Sequence, residues 1–357
     1  CEAPLLTEER NKIIKSALSY RQQNLRNFKT FPTTDLGNGE RFARDHKGGA
    51  LYCIDQKTWY AFNKGVWLPH VTIIERMAKT TTRNIHVEAS YSSSYEHANH
   101  IKKWQKISEN ISRQKAMIDA AKQYFEFSSK DFDKNKYLIN FKNCTYDLST
   151  HKSKQHDAKD YITKNINYDF NLEAKCDRWI SFLEEITLGD KELENYLQKL
   201  CGYILCGERY EQIIVFIVGS GANGKSVFLN VLSKLFGDYA GFINSSSVIY
   251  GNNSTIPNDI AGLYGKRLVS LSEFPERSLL NTTLLKSMSG GDNVLARKLY
   301  QDWFEFNPEF QLICAMNEIP EIKEDDEAFL RRLKVIEFNA NFKEDKIDKN
   351  LTKKLYS

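Results

Sequence analysis

The chain has 357 residues, too many for one ordinary domain and suited to two or three. Its 41% hydrophobic and 12% aromatic content is that of a soluble globular protein with real cores. No run approaches the roughly 18 apolar residues of a membrane span, and no charged-then-apolar leader marks secretion, so a cytoplasmic protein with no membrane partner is expected.

The net charge of +4 hides an asymmetry. Residues 1–170 carry 28 Lys/Arg against 19 Asp/Glu, while residues 171–357 carry 22 against 27. A basic first half fits a polyanionic partner, and equally fits ordinary solvated lysines. Seven cysteines include no CxxC pair; the nearest spacing, Cys201-x4-Cys206, lies in a buried-helix pattern, and free thiols are expected. His97 and His100 in "HANH" lack an acidic or Cys partner at ligand spacing and read as a solvated helix turn. The start at Cys1 and the uncapped helical pattern "LTKKLYS" at the other end read as an excised fragment.

In chain order, residues 1–30 are polar and helical, and residues 37–70 alternate like short strands with turn signals at GG and NKG. Trp59, Tyr60, Phe62 and Trp67 there suit a base-stacking platform or the core of a small sheet, the second being favoured. Helical periodicity follows over 71–128, interrupted by "ASYSSSYEHANH", and strands and turns return over 136–170. Residues 176–207 carry Leu, Ile, Tyr and Trp at helical spacing and read as a helical collar or linker.

"GSGANGKS", residues 219–226, sits between the apolar run "IIVFIV" and the amphipathic "VFLNVLSKLFG". Gly219-x4-Gly224-Lys225-Ser226 is the P-loop pattern: glycines let backbone N–H groups approach the phosphates, Lys225 neutralises them, and the Ser226 hydroxyl ligates Mg²⁺. The candidate ATP-binding residues are Gly219, Gly221, Asn223, Gly224, Lys225, Ser226 and Val227. A second strand should bring acid to the metal and the attacking water. "KRLVSLSEFPE", residues 266–276, ends in Ser272-Glu273, and Glu273 is the candidate for both tasks, with Ser272 where many such ATPases carry Asp. In "FQLICAMNEIP", residues 310–320, Asn317 closes an apolar strand at the end where ligands gather, as a sensor or as a turn former before Pro320. Arg331 and Arg332, before the next apolar strand, suit an arginine finger reaching a neighbouring subunit's γ-phosphate, or surface ion pairs.

These elements in this order resemble the superfamily 3 helicases, a branch of the AAA+ ATPases, and within them the phage-, plasmid- and poxvirus-type primase–helicases. The matching stretches are "GSGANGKS", "KRLVSLSEF", "LLKSMSGGDNVLARKLYQDWFEF", "CAMNEIP" and "AFLRRLKVIEF", together with "WISFLEEI", "YLQKLCGYILCG" and the aromatic block "LYCIDQKTWYAFNKGVW". The resemblance implies an α/β fold, with an AAA+ P-loop core built on a parallel sheet. Before that core would stand a mixed α+β domain over 1–170 and a helical collar over 171–210. The ATPase would occupy 211–340, and 341–357 would begin a truncated C-terminal region.

It also implies that residues 290–306 form a hairpin whose Arg297 and Lys298 track single-stranded DNA phosphates in the channel of a ring, a hexamer in relatives. The function so implied is an ATP-dependent helicase working on single-stranded and forked DNA during replication of a phage, plasmid or mobile island, with host or element replication proteins as further partners. No clustered carboxylates of a primase centre are seen. An origin-binding initiator or interference module using ATP as a switch is the alternative; a P-loop small-molecule kinase would have no use for the hairpin.

Overall fold

The computed structural model describes residues 31–92, 94–250, 257–272, 274, 278–297, 303–322, 326–342, 348 and 350–356. These fall into two compact units, residues 31–63 with 67–132, and residues 64–66 with 133 onward.

The first unit opens with α1 (Asp35–His46), whose N-terminus is capped by the Thr34 hydroxyl accepting from the Gly37 N–H. Strands β1 (Ala50–Cys53), β2 (Thr58–Asn63), β3 (Val66–Pro69) and β4 (Glu126–Phe127) form a sheet in the order β3-β2-β1-β4. Helices α2 (Val71–Ala89), α3 (Tyr95–Ser108) and α4 (Ile111–Ala121) supply the expected helical stretch, and Ser94 caps α3 across the polar interruption. Trp59 and Tyr60 are buried, as is Trp67, and Trp59 packs with Phe42, Ile74, Met117 and Phe125. Trp59, Tyr60 and Trp67 are therefore core, and the half-buried Phe62 packs its ring against Trp67 at 5.4 Å. His97 and His100 bond Ser92 and Thr33 on the helix surface.

A buried ion pair ties α1 to α2. Arg41 donates to both Glu88 carboxylate oxygens at 2.9 and 2.7 Å, and to the carbonyls of Phe31 and Pro32. Both side chains are essentially without solvent. Two such charges are tolerated only because every donor is used; removal of one partner strands the other.

The second unit begins with a small antiparallel sheet, β5 (Leu138–Asn140), β6 (Thr145–Asp147) and β7 (Lys152–Lys154). Helices α5 (Asp177–Thr187) and α6 (Lys191–Cys206) follow; Asp190 caps α6 by accepting from Glu192 and Leu193. Cys201 and Cys206 lie in α6 as half-buried free thiols. Then come β8 (Ile214–Val218), α7 (Lys225–Phe236), β9 (Ala240–Phe242), α8 (Pro257–Ala261), β10 (Leu268–Ser272) and α9 (Thr282–Gly290). The hairpin β11 (Val294–Arg297) and β12 (Trp303–Phe306), β13 (Gln311–Met316), α10 (Glu327–Leu330), β14 (Leu333–Glu337) and α11 (Leu351–Leu355) complete it.

The main sheet is five-stranded and parallel throughout, in the order β14-β8-β13-β10-β9. Alternation along the strands splits the core in two. Val215 and Ile217 of β8, with Ile313 and Ala315 of β13, meet helices α5, α6 and α7 on one face. Ile214 and Phe216, with Leu312, Cys314 and Met316, meet α8, α9 and the hairpin on the other. Burial on both faces explains why these strands read as unbroken apolar runs. Among the described residues no helix is long and apolar enough to cross a membrane.

The ion pair gives a test. Glu88→Ala should destabilise the first unit by about 3–5 kcal/mol, read as an earlier urea transition of the full chain, whereas Arg41→Met combined with Glu88→Leu should recover most of that loss.

Candidate nucleotide site

The P-loop leaves the carboxyl end of β8 between two parallel neighbours and turns straight into α7. The turn is built from left-handed residues: Gly221 at φ 99°, Ala222 at φ 46° and Gly224 at φ 87°. Gly224 has a second reason to lack a side chain, since a Cβ there would stand 2.5 Å from Ile186 and 3.3 Å from Phe182 of α5. Among the described residues no side chain caps the N-terminus of α7. Its first-turn N–H groups, Ser226 and Val227 among them, lack the partners of a helix interior and face where an anion would sit. Ser226 is exposed and Val227 half-buried.

Neighbouring strands hold the loop in place. The Gly219 N–H donates to Met316 of β13 at 3.3 Å, the Phe338 N–H donates to Val218 at 2.8 Å, and the Phe342 N–H donates to Ala222 at 2.9 Å. Asn223 is buried and donates its amide to the Phe338 carbonyl at 3.2 Å. Its other end accepts from the Lys225 ammonium at 3.1 Å. That ammonium also reaches the Gly219 carbonyl and, at 3.3 Å, the Oδ1 of Asn317. Burial pulls the Lys225 amine below the ordinary lysine range. Phosphate oxygens offer this cation a better partner than three neutral carbonyl oxygens.

The structure thus brings Gly219, Asn223, Lys225 and Asn317 together at one edge of the sheet. Ser272, at the carboxyl end of β10, pairs with Ala315 one strand beyond. Glu273, the residue after it, lies outside the described residues. Among the described residues no group of three His, Cys, Asp or Glu side chains forms a metal cluster, so only the Ser226 hydroxyl of the expected Mg²⁺ ligands is on view.

Arg331 and Arg332 are elsewhere. Leu333 pairs with Ile214 and Glu337 with Val218, so the arginines flank the amino end of β14, a strand length of about 17 Å from the P-loop at roughly 3.3 Å per residue. Neither can reach the phosphates of its own P-loop. Arg332 donates to Ala328 and to Gln212, and Arg331 is exposed. Arg209, which sequence reasoning passed over, donates to the Ser289 carbonyl at 3.4 Å and is grouped with Arg332 around Gln212 and Gly290. Burial lowers its affinity for the proton. It lies in "GERYEQ", a polar connector that belongs to none of the motifs. Lys286, on α9, forms a 3.0 Å ion pair with Asp326 just before α10.

Arg297 ends β11, and Lys298 lies outside the described residues.

Two family models match the chain, "D5 N terminal like" over residues 39–188 and a family of unknown function, DUF5906, over residues 217–332. A protein of Acanthamoeba polyphaga mimivirus named "Putative helicase" is 32% identical over 219 residues, covering 60% of this chain and 23% of that protein. A protein of Invertebrate iridescent virus 6 with the same name is 32% identical over 230 residues, with the same coverage. The match therefore spans less than a quarter of the length of these relatives. In fold, the chain is similar to the apo structure of the NrS-1 C-terminal region, at a TM-score of 0.52 and 14% identity over 86% of this chain and 62% of that one.

Gly224→Ala is expected to lower the urea midpoint of the second unit, since the left-handed backbone alone costs a residue with Cβ about 1–2 kcal/mol and the overlap with Ile186 adds to it. The same variant should weaken binding of a fluorescent ATP analogue by more than tenfold.

Proposed function

The chain belongs to the phage- and virus-type primase–helicase family, and on that premise we propose that it is an ATP-driven DNA helicase with an AAA+ core of the superfamily 3 kind. The observation that carries this reading is the contact from Lys225 to Asn317, which joins the P-loop to the polar end of the adjacent strand. ATP binds with its β- and γ-phosphates on Lys225 and the first turn of α7. Ser226 and Glu273 would hold a Mg²⁺ ion, which would supply positive charge to the phosphates. Glu273 polarises the attacking water. Asn317 senses the γ-phosphate: when phosphate takes the ammonium, the amide oxygen of Asn317 is released to a new partner.

The arginines favour a composite site. Arg332 or Arg331 lies too far from its own P-loop to serve it, so an arginine acting on the γ-phosphate must come from a neighbouring subunit. A closed ring, a hexamer as in the resembled helicases, supplies every interface with one P-loop and one arginine. Hairpins carrying Arg297 and Lys298 then hold single-stranded DNA by its phosphates, and hydrolysis at successive interfaces moves it.

The test is ATP hydrolysis with and without single-stranded DNA, alongside unwinding of a forked duplex. The wild-type chain should hydrolyse faster with DNA and unwind the fork, and Lys225→Ala should reduce hydrolysis to background. DNA-independent hydrolysis with no unwinding would replace the motor by an ATP switch. For the finger, Arg332→Ala should lose roughly 10³-fold or more in hydrolysis, and mixing it with Lys225→Ala subunits should restore part of the activity at interfaces pairing an intact P-loop with an intact arginine. Absence of any recovery excludes action in trans.

A further inference from the structure

The hairpin has two faces of different character. Val294, Ala296 and Phe306 point inward and are buried, and Phe306 and Phe304 meet the Tyr264 ring edge-on at 5.6 and 5.9 Å. Leu295, Arg297, Trp303 and Glu305 occupy the opposite face and are exposed. This is strict strand alternation, and it fixes the hairpin by its aromatic inner side. The outer side is free of that duty.

The pairing register sets Arg297 directly across from Trp303 and Leu295 across from Glu305. The Arg297 guanidinium lies 5.0 Å from the centre of the indole. Trp303 nevertheless keeps 51% of its surface exposed. The other two tryptophans on strands, Trp59 of β2 and Trp67 of β3, are 8% and 1% exposed, so this chain does bury indoles where they serve only as packing. With the guanidinium over one face of the indole and half of the side chain still open to solvent, the pair combines the two groups that hold single-stranded nucleic acid: a cation for the phosphate and a flat π-face for the base.

We propose that Trp303 stacks on a nucleobase of single-stranded DNA while Arg297 holds the adjacent phosphate. The proposal rests on the helicase reading and adds a base contact to its phosphate contacts. Stacking suits a motor because every base has a π-face, so grip does not depend on sequence. Glu305, lower on the same face, repels phosphate and confines the contact to the outer end of the hairpin. Duplex DNA hides its base faces in the stack, so the indole also gives the hairpin a preference for single strands.

The two contacts leave different signatures in salt. A phosphate contact contributes to the slope of log affinity against log salt, roughly 0.7 per neutralised phosphate on single strands. A stacking contact changes affinity and leaves the slope alone. Binding of the full chain to a fluorescent single-stranded oligonucleotide should therefore be measured by anisotropy over a range of salt, for wild type, Trp303→Ala, Trp303→Phe and Arg297→Ala. Trp303→Ala should weaken binding by about 5- to 150-fold at unchanged slope, and Trp303→Phe should recover most of the loss. Arg297→Ala should reduce the slope by about 0.7. An oligonucleotide with abasic sites should bind the wild type as weakly as the intact one binds Trp303→Ala.

Wild-type affinity in Trp303→Ala, a changed slope in that variant, or equal wild-type affinity for abasic and intact strands would each overturn the base contact and leave the helicase reading standing. Failure of the wild type to bind single strands at any salt would overturn both. A melting curve guards against a loosened hairpin, since the inner aromatic face is untouched and Trp303→Phe keeps the strand propensity.

Discussion

The second unit is organised by one constraint: β8 is hydrogen-bonded on both edges and buried on both faces. A strand in that position can neither slip by one residue nor twist independently of its neighbours, because a slip would exchange Val215 and Ile217 for Ile214 and Phe216 between two different helical layers. Whatever leaves its carboxyl end is therefore aimed reproducibly. The P-loop inherits this rigidity and adds ties of its own from Met316, Phe338 and Phe342. Lys225 is positioned by the sheet as much as by its helix.

The same strand also separates the two halves of the proposed catalytic apparatus. Lys225 and Asn317 lie at the carboxyl edge, while Arg332 and Arg209 gather at the amino edge, beyond Ile214. Strand length alone keeps them apart within one chain. The proposed arginine finger, if it acts on the γ-phosphate, would therefore have to come from a second copy, because a five-residue strand keeps it from its own P-loop. The helicase reading and the ring reading therefore stand on a shared premise.

Much of this was legible in the sequence because it rests on local chemistry. Gly224 announces a left-handed turn, the runs at 214–218 and 311–316 announce strands buried on both faces, and Asn317 marks a polar strand end. The aromatic block at 59–67 was readable as core for the same reason. Other parts depend on long-range packing. Nothing in "GANGK" says that Asn223 will bridge Lys225 to the Phe338 carbonyl, more than a hundred residues away, or that β13 will insert between β8 and β10. Nothing in "GERYEQ" says that Arg209 will reach the Ser289 carbonyl, and nothing in "WFEF" says which face Trp303 takes until the pairing register is known.

Arg267 couples the rest of the second unit to β10. It immediately precedes β10, the strand leading to Glu273, and it is buried. Its guanidinium donates to the Leu205 carbonyl at the end of α6 and, at 3.1 Å, to the Leu138 carbonyl of β5, while lying 4.7 Å from the Tyr239 ring. Its own backbone bonds Tyr239 and Gln311 on either side. Burial pushes this group toward losing its charge, and the carbonyls and the aromatic face offset that cost by solvating it within the protein. One side chain thus fastens the small antiparallel sheet and the last turn of α6 to the root of the strand that would deliver the catalytic acid. Residues 133–206 are tied to the amino end of β10 through a buried cation whose removal leaves the Leu205 and Leu138 carbonyls without that partner, so a shift of α6 or β5 bears directly on the position of β10.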